Sequence, residues 1–138
     1  MKVFGGKDYE ANITYFIYRE EPVKALDSAT VDPSGTKEVS IEVPNGYSAV
    51  AVTVKAAYHE SASTGVRIRW LYSPDGTSYD SPEDAEAQGN FEDMTFEAGK
   101  ERQRTVLIPA VTSYIKVQVI NRDSSYPATV TLWYLRLR

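Results

Sequence analysis

Apolar and polar residues alternate at a two-residue period through most of this chain. Glu38-Val39-Ser40-Ile41-Glu42-Val43 alternates, as do Val66-Arg67-Ile68-Arg69-Trp70 and Ile115-Lys116-Val117-Gln118-Val119. Successive side chains of a strand point to opposite faces, so each run predicts a strand with one dry and one wet face. The β-branched and aromatic run at 13–18 predicts a first strand, and 19–36, with its Pro, Asp and Gly, predicts a long connection. Further strands are predicted near 37–43, 48–58 and 65–72, around Met94 and Phe96, near 104–108, and at 114–121 and 128–137. Pro44-Asn45-Gly46 and Ser73-Pro74-Asp75-Gly76 mark turns between them. Ser81 with Asp84 three residues on predicts a capped helical turn within 80–90. About eight strands with connections of mixed length give an all-β fold. It is a single-domain antiparallel β-sandwich of jelly-roll or Greek-key type. The domain spans 13–138, with an N-terminal arm or loose strand at 1–12.

The last strand departs from simple alternation. Val130, Leu132 and Tyr134 fall on one face and Trp133, Leu135 and Leu137 on the other. Apolar residues on both faces predict a central strand, a bulge, or a surface that meets another subunit. Trp133, Leu135 and Leu137 are therefore the candidate assembly surface.

Composition narrows the chemistry. At 138 residues the chain is one domain by size and long enough to bury a core without a metal or disulfide staple. The net charge of -4 gives no general attraction to nucleic acid, and no apolar run approaches the length of a membrane helix. With no cysteine, thiolate nucleophiles, disulfides and Cys-type zinc sites are excluded. The first residues lack the apolar core of a signal peptide, so synthesis in the cytoplasm is expected, with action on a virion or cell surface.

The one histidine, His59, sits in a polar turn and reads as a solvated side chain. There is no G-x-S-x-G and no phosphate-binding glycine loop. The expectation is a protein with no catalytic residues, no cofactor and no resident metal. Asp75, Asp80, Glu83, Asp84 and Glu86 are dense enough to raise calcium as a question, but their spacing is not that of an EF-hand. Tyr72 and Tyr79 flank that acidic loop, and flat rings with a polar tip suit sugars or protein partners. Tyr72, Asp75, Tyr79 and Asp80 are therefore the candidate ligand-binding residues. Arg67, Arg69, Arg102, Arg104 and Lys116 make one basic sheet face if their strands share a sheet.

The segment Trp70-Leu71-Tyr72-Ser73-Pro74-Asp75-Gly76-Thr77-Ser78-Tyr79 resembles a hairpin of discoidin-like (galactose-binding-like) jelly rolls. Tyr114-Ile115-Lys116-Val117 resembles the strand that follows it there. The same elements, with the Ile120-Asn121 stop, are similar to those of accessory β-sandwich domains in phage virion and tail proteins. The resemblance covers roughly residues 66–121. There is no cysteine pair joining the ends, and Tyr79 stands where those domains carry tryptophan. It implies a non-enzymatic structural or surface-interaction module, such as a virion decoration, tail or fibre part acting by self-assembly or docking. The expected partners are further copies of the chain or a virion or surface protein. The alternative is a carbohydrate-binding module, calcium-assisted or not.

Overall fold

The computed structural model describes residues 18–138, so the strand expected at 13–18, save Tyr18, and the arm at 1–12 lie outside the described residues. Eight strands follow in order: β1 (Val23–Val31), β2 (Thr36–Glu42), β3 (Ala49–Tyr58), β4 (Val66–Ser73), β5 (Phe91–Asp93), β6 (Glu101–Pro109), β7 (Tyr114–Asn121) and β8 (Ala128–Leu137). One short helix, α1 (Pro82–Ala87), lies between β4 and β5. Its N-cap is Ser81, whose hydroxyl accepts the Asp84 N–H at 3.0 Å. This satisfies one of the donors a helix start leaves open.

The strands form two four-stranded antiparallel sheets, ordered β1-β8-β3-β6 and β2-β7-β4-β5. First pairs with last, second with seventh, third with sixth and fourth with fifth. The chain is thus one long antiparallel ribbon, doubled at the β4–β5 connection and wrapped into two layers. That is the jelly-roll sandwich, and it agrees with the all-β, single-domain expectation.

Alternation explains the layers. Val50, Val52, Val54 and Ala56 of β3 are fully buried, with Ile108 of β6 and Val130 and Leu132 of β8 beside them. They face Ile41, Val66, Ile68, Ile115, Val117 and Val119 of the other sheet across one continuous core. Fully burying each of the Val, Leu and Ile side chains contributes about 1.5–3 kcal/mol.

Two expectations are corrected. The stretch 19–36 is not a single connection, because it contains β1. The β1 register against β8 slips between Lys24 and Leu26 and again between Leu26 and Ala29, and Ser28 takes a left-handed φ of 50°. Such bulges erase a two-residue period. The fifth strand occupies Phe91–Asp93, ahead of Met94 and Phe96. Met94 is buried just beyond the strand and donates its N–H to the Val66 carbonyl at 2.9 Å. The ring of Phe96 packs on Tyr58 at 4.9 Å.

Candidate functional site

The four residues expected to bind a ligand do not share one surface. Tyr72 continues the inward row of β4 (Val66, Ile68, Trp70), and its hydroxyl donates to the Pro109 carbonyl of β6 at 2.6 Å. Burial pushes its phenol up from the ordinary value. Asp75 is engaged by its own turn: one oxygen accepts the Ser78 and Thr77 N–H groups, both at 2.8 Å, and the Ser73 hydroxyl at 3.1 Å. Those bonds, the Ser78 N–H first, hold its carboxyl below the usual range. Tyr79 lies over the outer face of the sheet that holds β4 and β7, with the Lys116 ammonium 4.2 Å from its ring centre. Asp80 pairs with Tyr72 through backbone, its N–H donating to the Tyr72 carbonyl at 3.0 Å. Turn formation and ring packing account for all four. Among the described residues, no three His, Asp or Glu side chains gather as metal ligands would.

The expected basic face is also corrected. Arg67, Arg69 and Lys116 do share the β2-β7-β4-β5 sheet, but its outer surface is neutralised. Arg69 donates to Glu86 of α1 at 2.6 Å and to Gln118 at 2.7 Å. Arg67 reaches Glu86 at 3.1 Å and Asp93 at 2.6 Å, and Arg122 approaches Asp93 at 3.5 Å. Gln118 passes the chain of bonds on to Glu38 at 2.6 Å. The Arg69 and Arg67 guanidiniums hold the Glu86 carboxyl below its ordinary value, and Arg67 does the same for Asp93. Arg102 and Arg104 lie on the other sheet, paired with Glu97 and Glu92. Helix α1 packs on β4 and covers part of this face. The surface is finished for water.

The outer face of the β1-β8-β3-β6 sheet is different. Along β3 its outward positions are mostly small: Ala49, Ala51, Thr53 and Ala57, interrupted by Lys55. Large apolar side chains flank them in register. Leu107 of β6 and Leu135 of β8 stand on either side of Ala51, and Trp133 stands beside Thr53. Small residues between large ones make a trough. It measures about 410 Å³ and is lined by Pro22, Ala51, Thr53, Gln103, Trp133, Tyr134 and Leu135. Among the described residues the exposed large apolar side chains are Tyr18, Val23, Leu107 and Val111. Tyr18 and Val23 belong to the chain edge beside β8, Leu107 to the face itself, and Val111 to the loop two residues past Pro109. Of the expected assembly residues, Trp133 and Leu135 are half-buried on this face. Leu137 is buried, paired with Ala49 and bridged to Arg19, and offers little to a partner.

Sequence reasoning missed a polar clamp at one end of the sandwich. Asp123 is 2% exposed and accepts N–H bonds from Ser63 (2.8 Å), Thr64 (3.3 Å), Ser125 (3.1 Å) and Tyr126 (2.8 Å). With the Ser63 N–H as the largest cause, these bonds lower its carboxyl to about 2. Neighbouring Asn121 donates to the Val31 and Tyr126 carbonyls at 3.2 and 2.9 Å. Together they tie three loops. His59 stacks on Tyr126 at 4.3 Å and accepts the Ser61 N–H on Nδ1, an exposed turn side chain as read from the sequence.

No protein-family model matches this chain, and no curated protein matches it by sequence. Among solved structures it is similar to dimeric latent PorU from Porphyromonas gingivalis, with a TM-score of 0.50 and 14% identity. The match covers 96% of this chain and 14% of PorU, so the chain spans a small part of that protein. At this identity the likeness is one of fold. The fold and its surfaces define the class as an eight-stranded jelly-roll sandwich.

Proposed function

We propose that this chain is a non-catalytic jelly-roll module that docks a larger protein assembly through the outer face of its β1-β8-β3-β6 sheet. One observation carries the reading: the two outer faces are finished differently. One is closed by α1 and a chain of ion pairs centred on Glu86. The other presents an apolar trough at Trp133 and Leu135 with Leu107 standing exposed beside it. Contiguous exposed apolar surface rimmed by polar groups is the mark of a contact face. A virion surface, as decoration, tail or fibre part, is a setting in which such a module works. The resemblance of roughly residues 66–121 to virion accessory domains supports it. That segment resembles galactose-binding-like hairpins as well, but the glycan alternative loses its ring pair, because Tyr72 packs inward and Tyr79 lies outward.

Photo-crosslinking tests this reading in the source cells. A photoreactive residue at position 135 should give adducts of one partner protein, identified by mass spectrometry, and position 79 should give none. Equal labelling from both positions, or none from 135, would overturn the docking assignment.

A further inference from the structure

The trough carries charge as well as apolar surface. Trp133 of β8 sits between Lys24 on β1, its direct register partner, and Lys55 on β3. The two ammoniums stand 5.7 and 5.9 Å from its ring centre. Among the described residues Lys24 meets a carboxylate only at Asp27, 4.0 Å away across solvent, and Lys55 meets none. Trp133 and Leu135 have no acidic neighbour on β8 or β3. The chain as a whole carries a net charge of -4. A local pair of cations thus stands beside an apolar trough in a chain of net negative charge.

Resting on the docking reading above, we propose that the trough receives an acidic segment of a partner polypeptide. One or two large apolar side chains of that segment fill the space over Ala51 and Thr53. Carboxylates on either side of them meet Lys24 and Lys55. A volume of about 410 Å³ is enough to seat such an anchor. Charge argues against a second copy in the same place, because two such faces stacked together would bring four ammoniums into one contact against only the two Asp27 carboxylates. An acidic sugar chain fits less well, because Thr53, Gln103 and the polar tips of Trp133 and Tyr134 are few along a mostly apolar lining.

The test uses the two tryptophans as reporters: Trp70 is buried in the core and Trp133 lies in the trough, so the protein gives two indole N–H signals in a proton–nitrogen spectrum. The probe is a short peptide with a central Leu-Phe pair flanked on both sides by glutamates. It should shift the Trp133 signal and leave Trp70 in place. Binding should weaken with added salt. Lys24→Glu with Lys55→Glu should weaken it by about tenfold or more. The same peptide with lysines for glutamates should not bind. Equal binding of both peptides would overturn the acidic partner while leaving the docking face standing. So would a Trp133 shift with polygalacturonate but not with the peptide, or one that grows with protein concentration alone. No Trp133 shift with any probe would also overturn it. Failure of the docking face itself is read separately, by the absence of adducts from position 135.

Discussion

Asp123 shows how one side chain can hold the end of a sandwich. Its carboxylate replaces water for four backbone N–H groups drawn from two loops. A carboxyl held at about 2 when folded, against 3.8 ordinarily, favours the folded state at every pH above its unfolded value. That contribution fades as pH falls from about 4 through about 2. Thermal melts of the wild type should therefore drop across this window, and Asp123→Asn should lower the melting temperature at pH 7 while flattening the drop. An equal acid slope in both proteins would contradict the clamp. Asn121→Ala strips the donor from the Val31 and Tyr126 carbonyls at a buried site and should cost about 1–3 kcal/mol by urea denaturation. Neither role was legible in Asn121-Arg122-Asp123-Ser124-Ser125, which reads simply as a strand stop. Two of the bonds are local Asx-type turns to Ser125 and Tyr126, but those to Ser63 and Thr64 reach some sixty positions upstream, where no local pattern encodes them.

At the scale of elements, alternation located β2, β3, β4, β6, β7 and β8 and failed where the backbone itself is irregular. The two register slips in β1 break the period, and the three residues of β5 are too few to show one. The β4–β5 connection was legible in part. Ser81 and Asp84 marked the helix start, but the role of Glu86 in pinning α1 to Arg67 and Arg69 depends on sheet order. Ser81→Ala removes the cap and should cost about 1 kcal/mol, read in the same denaturant series. Gly76 closes the preceding turn at φ +79°, where an added Cβ would sit 3.1 Å from the Tyr114 ring. Gly76→Ala should therefore cost about 1–3 kcal/mol. A cost near zero at position 76 would contradict the left-handed turn itself, since that φ strains an alanine even if the Tyr114 ring moves aside.

For the whole molecule, wrapping one ribbon into two layers leaves two outer faces with different fates. The sequence showed that β8 is apolar on both sides, and this was the one legible sign of a contact surface. It could not show the trough, which needs Ala51 and Thr53 of β3 set between Gln103 of β6 and Trp133 and Leu135 of β8. It also overcounted Leu137, which pairing with Ala49 buries. Neighbouring positions on β8 should accordingly respond in opposite ways. Leu132→Ala empties a fully buried site and should cost about 2–5 kcal/mol. Leu135→Glu on the half-buried outer face should leave the monomer folded but abolish adducts from a photoreactive residue at position 107. Hydroxyl-radical footprinting of the chain, free and within its native assembly, probes the difference between the faces most directly. Labelling of Trp133 and Leu107 should fall on assembly while Tyr79 and Phe91 stay unchanged. Protection of Tyr79 and Phe91 with Trp133 still open would place the contact on the opposite sheet and contradict the docking face.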